Sequence, residues 1–406
     1  MYANYQNVSS KIKIPQWCVH SYYTLCPYAP DGSGRLLFSG CDPDTGRGKV
    51  YIADEDGNVL DSFGENTVSS SFYHTGFWQS WSPDARYVYY QSGTNTNPLI
   101  IRHELATGTE TCMPGDMEGA PPFGEPITSG FMGMLYAAGY GDGTYSPEKA
   151  PFPFQARDKH GLFRFDVEHK KADLVLSVAE VIENHPDRDR LLKADRDIKK
   201  IYGSQDGLTL MCYCLRWSSD GERCLFYFGN HTVANIRKEP KIAYVCTAKK
   251  DMTDIHIAVN LSFGRNGVHW SMHPDGVRLI GYGPKIGEPH RHVLSMVNYD
   301  GSDYRNISSH NSGGHPSVCP ADYNLIVTDE KNPSTGRVVF LDAASGKEVD
   351  AYEFSYKNKE PLSMGRNKHI VCHHPVFNRD GTKVLCNILP GKYSELVEIN
   401  IKGIER

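Results

Sequence analysis

One turn signature recurs along the whole chain and limits what it can fold into. A polar Pro/Asp/Gly cluster is followed by a β-branched or aromatic strand in APDGSGRLLFSG (29–40) and SPDARYVYYQSG (82–93). It returns in SSDGERCLFYFG (218–229), HPDGVRLIGYG (273–283), CPADYNLIVTDE (319–330) and NRDGTKVLCNIL (378–389), with a degenerate copy, SGFMGMLYAAG, at 129–139. Each copy precedes a second strand pair such as KVYIADEDGNVLDSF or RVVFLDAASGKEVDAY. Asp-Gly and Ser-Gly at the bends suit tight hairpins, which need positive φ. A four-strand unit cannot bury both faces alone, whereas radial stacking covers them. Seven such units predict an all-β, seven-bladed β-propeller spanning residues 1–406.

The last unit runs to the C-terminal end, so ring closure is expected to borrow a strand from residues 15–28. The interval between the third and fourth signatures is too long for one blade. Residues 139–201 read as an insertion over one mouth of the channel: a Gly/Pro-rich loop, then a charged helical stretch (177–201) broken at His185-Pro186.

Composition removes several function classes. A net charge of −5 leaves no basic footprint for nucleic acid. No run of eighteen apolar residues exists to span a membrane, and MYANYQNVSSKIKIPQW lacks an apolar signal core, so a cytoplasmic location is expected. The 11 cysteines form no C-x-x-C pair, which fits reduced thiols.

The stretch KHIVCHHPVFNRDG (368–381) gathers His369, Cys372, His373 and His374 directly before a turn. Side chains alternate along an extended chain, so Cys372 and His374 share a face that His373 opposes. Other blades carry histidines at similar offsets before their turns: His269 in VHWSMHPDG and His315 in GHPSVCPAD. These strands border the channel, so His269, His315, Cys372 and His374 converge from neighbouring blades. A Cys/His set with one thiolate favours zinc over manganese or calcium, and His369 is either a further ligand or a residue that orients one. The competing reading is a set of inner-strand histidines bonded to backbone.

At these residues, over roughly 210–390, the sequence resembles the oligogalacturonate lyases, seven-bladed propeller enzymes, and more loosely the propeller ulvan and rhamnose–glucuronate lyases. The resemblance implies His269 as catalytic base and His315 as a metal ligand. The family's Q-x-x-H-x-H-P run falls on His369, Cys372 and His374, with His in place of the glutamine and Cys in place of the first histidine. This departure favours zinc over the manganese the family implies. The family's catalytic arginine falls on Lys241, which is not an equivalent carboxylate fork, so Arg237 or Arg216 is an alternative for that duty.

The expected reaction is β-elimination on a 4-linked uronic acid in an oligo- or polysaccharide. His269 removes the C5 proton; Lys241, Arg216 or Arg237 neutralises the carboxylate; His74 and His231 serve as acid or substrate contacts. Gln79, Trp81 and Trp270 are expected to touch sugar. A glycoside hydrolase on the same scaffold needs paired carboxylates, and none stand on the inner strands outside the turns. A non-catalytic binding propeller predicts no metal.

Overall fold

The turn chemistry is realised four times in the same form. Gly32, Gly221, Gly276 and Gly381 adopt φ of 71–73°, the left-handed region that an L side chain resists. In the fourth unit the preceding Asp220 accepts from the backbone N–H of Glu222 at 3.0 Å, and in the last Asp380 accepts from Thr382 at 3.0 Å. Each bend returns the chain antiparallel to itself, and the strands sort into seven sheets.

The computed structural model describes residues 5–68, 72–130, 132–140, 143–203, 207–230, 233–264, 269–331, 335–355 and 371–404. From the channel outward, blade 1 is Trp17–Val19, Leu36–Cys41, Arg47–Ala53 and Val59–Thr67, and blade 2 is Ser80–Trp81, Tyr87–Gly93, Pro98–Glu104 and Glu110–Pro114. Blade 3 has Ile127–Gly130, Gly161–Asp166 and Lys171–Ser177; blade 4 has Met211–Trp217, Arg223–Gly229, Ala243–Lys249 and His256–Asn260. Blade 5 is Ser271–Met272, Arg278–Lys285, Glu288–Asn298 and Arg305–Asn306, and blade 6 is Ser317–Val318, Leu325–Lys331, Thr335–Asp342 and Glu348–Ser355. Blade 7 takes Val376–Phe377, Lys383–Ile388 and Glu395–Asn400 from the C-terminal end and Val8–Ile12 from the other. The fold is the seven-bladed β-propeller that the repeat predicts.

Three local expectations need correction. Ring closure uses Val8–Ile12, paired Val8 to Ile399 and Ile12 to Leu396, and not a strand within 15–28. Trp17–Val19 is occupied as the innermost strand of blade 1, so the segment before it fills the open edge of blade 7. The degenerate third signature is no turn and strand. Its Met-, Leu- and Ala-rich sequence forms a helix, Met132–Ala137, after the strand ends at Gly130.

The span 139–201 also divides. Its middle supplies two strands of blade 3, and the helical part breaks at His185-Pro186 into Val178–Glu183 and Arg188–Tyr202. Ser177 and Glu180 close a reciprocal cap at the first of these. Both helices pack Val181, Ile182, Leu191 and Ile198 into the core that holds Phe228 and Tyr244 of blade 4. The Met132–Ala137 helix instead joins the core around Tyr22, Tyr23 and Trp78, the aromatic floor of the channel.

Buried neutral histidines tie stability to pH. Burial pushes His160, His273 and His292 down to about 4. Their folded pKa lies below the unfolded value, so as pH falls from about 6.5 toward 4 the unfolded chain takes up protons that the folded one refuses. Stability is therefore full above about pH 6.5 and declines below it, by on the order of 1–2 kcal/mol per histidine at pH 5. Urea midpoints measured at pH 7, 6 and 5 should fall in that order; a flat profile contradicts the burial of these rings.

Candidate metal and catalytic site

The offsets read from sequence become one register in space. His269, His315 and His374 each stand two residues before the inner strand of their blade, which begins at Ser271, Ser317 and Val376. Trp78 holds that place before Ser80 in blade 2. In blade 4 the strand pairing slips between Tyr213 and Arg216, and Cys214 takes the equivalent place. Trp78, Cys214 and His374 have φ of 56°, 54° and 46°, a left-handed kink that turns the side chain away from the ladder.

The expected alternation holds at 372–374. His373 turns outward, donating its Nδ1–H to the Asn387 carbonyl at 2.7 Å. Cys372 Sγ lies 3.1 Å from His74 Nδ1, and His374 Nε2 lies 3.2 Å from His315 Nε2. The His315 ring centroid is 4.0 Å from that of His269 and 4.1 Å from that of His374. Two triads, His74–His269–His315 and His74–Cys372–His374, each bring their ligand atoms within 4.8 Å of one another. Of the metal ligands expected from sequence, His315, Cys372 and His374 meet here; His369 lies outside the described residues, as does His231. His74, expected as an acid or substrate contact, stands inside both triads.

The tautomers say what the cluster is built to hold. His315 Nδ1 is 2.8 and 3.1 Å from the Asp329 oxygens, and His374 Nδ1 is 3.1 Å from the Ser21 carbonyl. His269 Nδ1 faces the carbonyls of Gly313 and Gly314 at 2.8 and 3.0 Å. These partners only accept, so each Nδ1 carries the hydrogen and each Nε2 presents a lone pair. Two such lone pairs 3.2 Å apart repel unless a proton or a cation sits between them. Burial and the neighbouring imidazoles hold His374 well below the usual histidine range, which disfavours the proton. Metal–imidazole bonds of about 2.0–2.1 Å set tetrahedral ligand atoms about 3.3 Å apart, close to the spacing found. The residues present fit a divalent ion, with Asp329 orienting His315 as an outer-shell carboxylate does. The candidate ligands do not support the expected preference for zinc over manganese.

The other expected site residues are placed elsewhere. Arg216 is buried, stacks on the rings of Tyr22, Tyr23 and Tyr227, and donates to the Tyr22 hydroxyl at 3.2 Å. Tyr22 in turn touches His74 and His374, with centroids 5.2 and 4.8 Å away, so its ring separates the guanidinium from the cluster. Arg237 is locked between Tyr145, Thr209 and Glu239, where it ties the insertion to blade 4. Neither belongs to the two triads. Lys241 is half-buried beside the cleft next to His269; its Nζ donates to the Gly264 carbonyl at 2.7 Å, and burial lowers its pKa.

Of the three expected sugar contacts, Gln79 and Trp81 bond across blades 1 and 2, and Trp270 bonds within blade 5. Gln79 accepts from Ser39 and donates to the Val19 carbonyl, linking blades 1 and 2. Trp81 donates to the Pro27 carbonyl at 2.8 Å, and the fully buried Trp270 donates to Tyr282 at 3.1 Å. A Cβ at Gly281 would stand 2.4 Å from the Trp270 ring, so that indole is fixed by its own sheet. Tyr22, Tyr23 and Asp329 were missed from the sequence. Tyr22 and Tyr23 stand two or three residues further from their bend than His269 and His374 do from theirs, so the offset that aligned the histidines did not mark them.

No protein-family model matches the sequence, and no curated protein does. Among solved structures, an oligogalacturonate lyase in complex with manganese superposes with a TM-score of 0.61 at 15% identity, covering 97% of this chain and 92% of that one. The oligogalacturonate lyase of Vibrio parahaemolyticus gives 0.62 at 14% identity, covering 98% and 95%. Kuenenia stuttgartiensis hydrazine synthase gives 0.50 at 10% identity, covering 96% and 97%. No helix among the described residues is long and apolar enough to cross a membrane. Over nearly its whole length, the chain shares the seven-bladed propeller fold of the oligogalacturonate lyases.

Proposed function

We propose that the protein is a metal-assisted lyase that cleaves a 4-linked uronic acid by β-elimination. The observation that carries this reading is the set of Nε2 lone pairs directed at one another at the end of the channel, beside an open cleft that His269 lines. The match in fold to two oligogalacturonate lyases supports it and names the substrate class to try first.

His315, His374, Cys372 and His74 would hold the ion. A bound divalent ion supplies positive charge to the uronate carboxylate and so acidifies the C5 proton. His269 is the base. Its Nδ1–H is spent on the Gly313 and Gly314 carbonyls, which fixes the ring and leaves Nε2 as the proton acceptor. Lys241, whose Nζ donates to the carbonyl of the cleft residue Gly264, would add positive charge for the carboxylate. As the C5–H bond breaks, its electrons form the C4=C5 double bond, the C4–O4 bond breaks, and the leaving oxygen takes up a proton.

The test is ultraviolet absorbance on a panel of oligogalacturonate, ulvan fragments and rhamnose-capped glucuronides, because elimination creates a conjugated unsaturated uronate. Absorbance that grows with one substrate class and stops on chelation is expected. A protein with bound metal that is silent on every uronate contradicts the proposal.

A further inference from the structure

The histidine cluster occupies one end of the channel, because His269, His315 and His374 come before their inner strands. At the other end those strands run into the Asp-Gly bends, and two cavities of about 390 and 310 Å³ open there. Both are lined by Thr24, Arg216, Trp217 and Arg379, so they join into one chamber. Each volume falls within the range of about 300–1,000 Å³ that small-molecule sites occupy. Tyr23 also lines the chamber, with its ring centroid 5.2 Å from that of His315, so the aromatic floor divides this space from the cluster.

Charge in the chamber is out of balance. Arg216 is 6% exposed. Its guanidinium donates to the Cys214 carbonyl at 3.1 Å and to the Tyr22 hydroxyl at 3.2 Å, both neutral, and its Nε has no partner. Three of its five N–H groups are therefore unspent. Among the described residues, two other arginines are as deeply buried, Arg223 and Arg237, and each pairs with a carboxylate, Asp254 and Glu239. Arg216 has no such partner; it has tyrosine faces and an open cavity. A buried charge without a counter-ion is costly, which marks a place that an anion completes.

Arg379 stands at the exposed rim. Its Nε donates to the Tyr28 carbonyl at 3.2 Å, and no described residue forms an ion pair with it. The acid on the chamber lining is Glu118. Burial pushes it up to about 7 against the pull of Arg216, and one of its oxygens accepts the Leu215 N–H at 2.6 Å. Near neutral pH it is about half protonated and does not cancel two guanidiniums.

We propose that this chamber binds a small organic dicarboxylate, with one carboxylate held by Arg216 and the other by Arg379 at the rim. A carboxylate offers the paired acceptor oxygens that a guanidinium fork matches, which neutral tyrosine hydroxyls do not. In a chain of net charge −5, two unpaired guanidiniums at one opening also draw anions toward it. The ligand meets no metal here, and the site does not depend on the lyase reading.

The experiment is calorimetric titration of the metal-loaded protein with succinate, acetate and inorganic phosphate, repeated after dialysis against a chelator. The variants are Arg379→Ala and Arg216→Lys, the second keeping the buried charge but losing the fork. The site predicts succinate bound about tenfold or more tighter than acetate, with or without metal. Each variant should lose about tenfold or more in succinate affinity, the size expected of a hydrogen bond to a charged group. Arg379→Ala lies at an exposed position and decides by itself where Arg216→Lys does not fold. Succinate bound no tighter than acetate, or equally well by Arg379→Ala, overturns the proposal. So does succinate bound only while metal is present, which would put it on the histidine cluster. Phosphate bound in preference to succinate also overturns it and makes the ligand a phosphoryl group.

Discussion

Replacing His269 with glutamine should lower the elimination rate about 10²–10⁴-fold while the protein keeps its metal. Glutamine retains an N–H for the Gly313 and Gly314 carbonyls but presents no basic nitrogen to the cleft. The initial rate of unsaturated-uronate formation reads the first effect, and elemental analysis after dialysis reads the second. The two readouts separate the roles open to this side chain, because His269 also stands in a triad with His74 and His315. Lost activity with retained metal makes it the base. Metal lost in proportion to activity makes it a ligand, and the base must then be sought elsewhere on the cleft.

The second large effect concerns the ion. His374→Ala removes the ring that meets His315 at 3.2 Å and stands beside His74, so bound metal and activity should both fall to background. His374 is fully buried and accepts a backbone contact from His20 through its carbonyl, so circular dichroism must show that the variant is folded. Asp329→Asn is the milder companion. Asparagine keeps an oxygen for His315 Nδ1–H but loses the charge that strengthens the ligand, and metal affinity should weaken about 10–100-fold. If both variants bind metal like the parent, the lone pairs at the cluster serve a proton and not an ion.

What the sequence disclosed was what local chemistry determines. The Asp-Gly bends state where the chain turns, and a fixed distance back from a bend is a fixed place on the channel, so His269, His315 and His374 could be aligned before any coordinates. The split at His185-Pro186 was legible for the same reason, since proline acts on its immediate neighbours. Closure was not, because Val8–Ile12 finds its partner nearly the whole chain away at Glu395–Asn400, and no local pattern chooses between edges.

Charged and polar side chains were also misplaced where their destination depends on packing. Arg216 stood two residues from the position that faces the cluster, but the slip in register at Tyr213 gives that position to Cys214 and sends the guanidinium among tyrosines. Gln79 resembles a channel residue until Ser39 and Val19 from the adjoining blade engage both ends of its amide.

The central claim is that the bond breaks by elimination, and the most direct measurement is product mass after digestion of trigalacturonate in water enriched in heavy oxygen. Elimination adds no water: the product masses sum to that of the substrate, one product carries a double bond, and neither takes up label. Products that together exceed the substrate by one water, with heavy oxygen at the new end, would show hydrolysis and contradict the account.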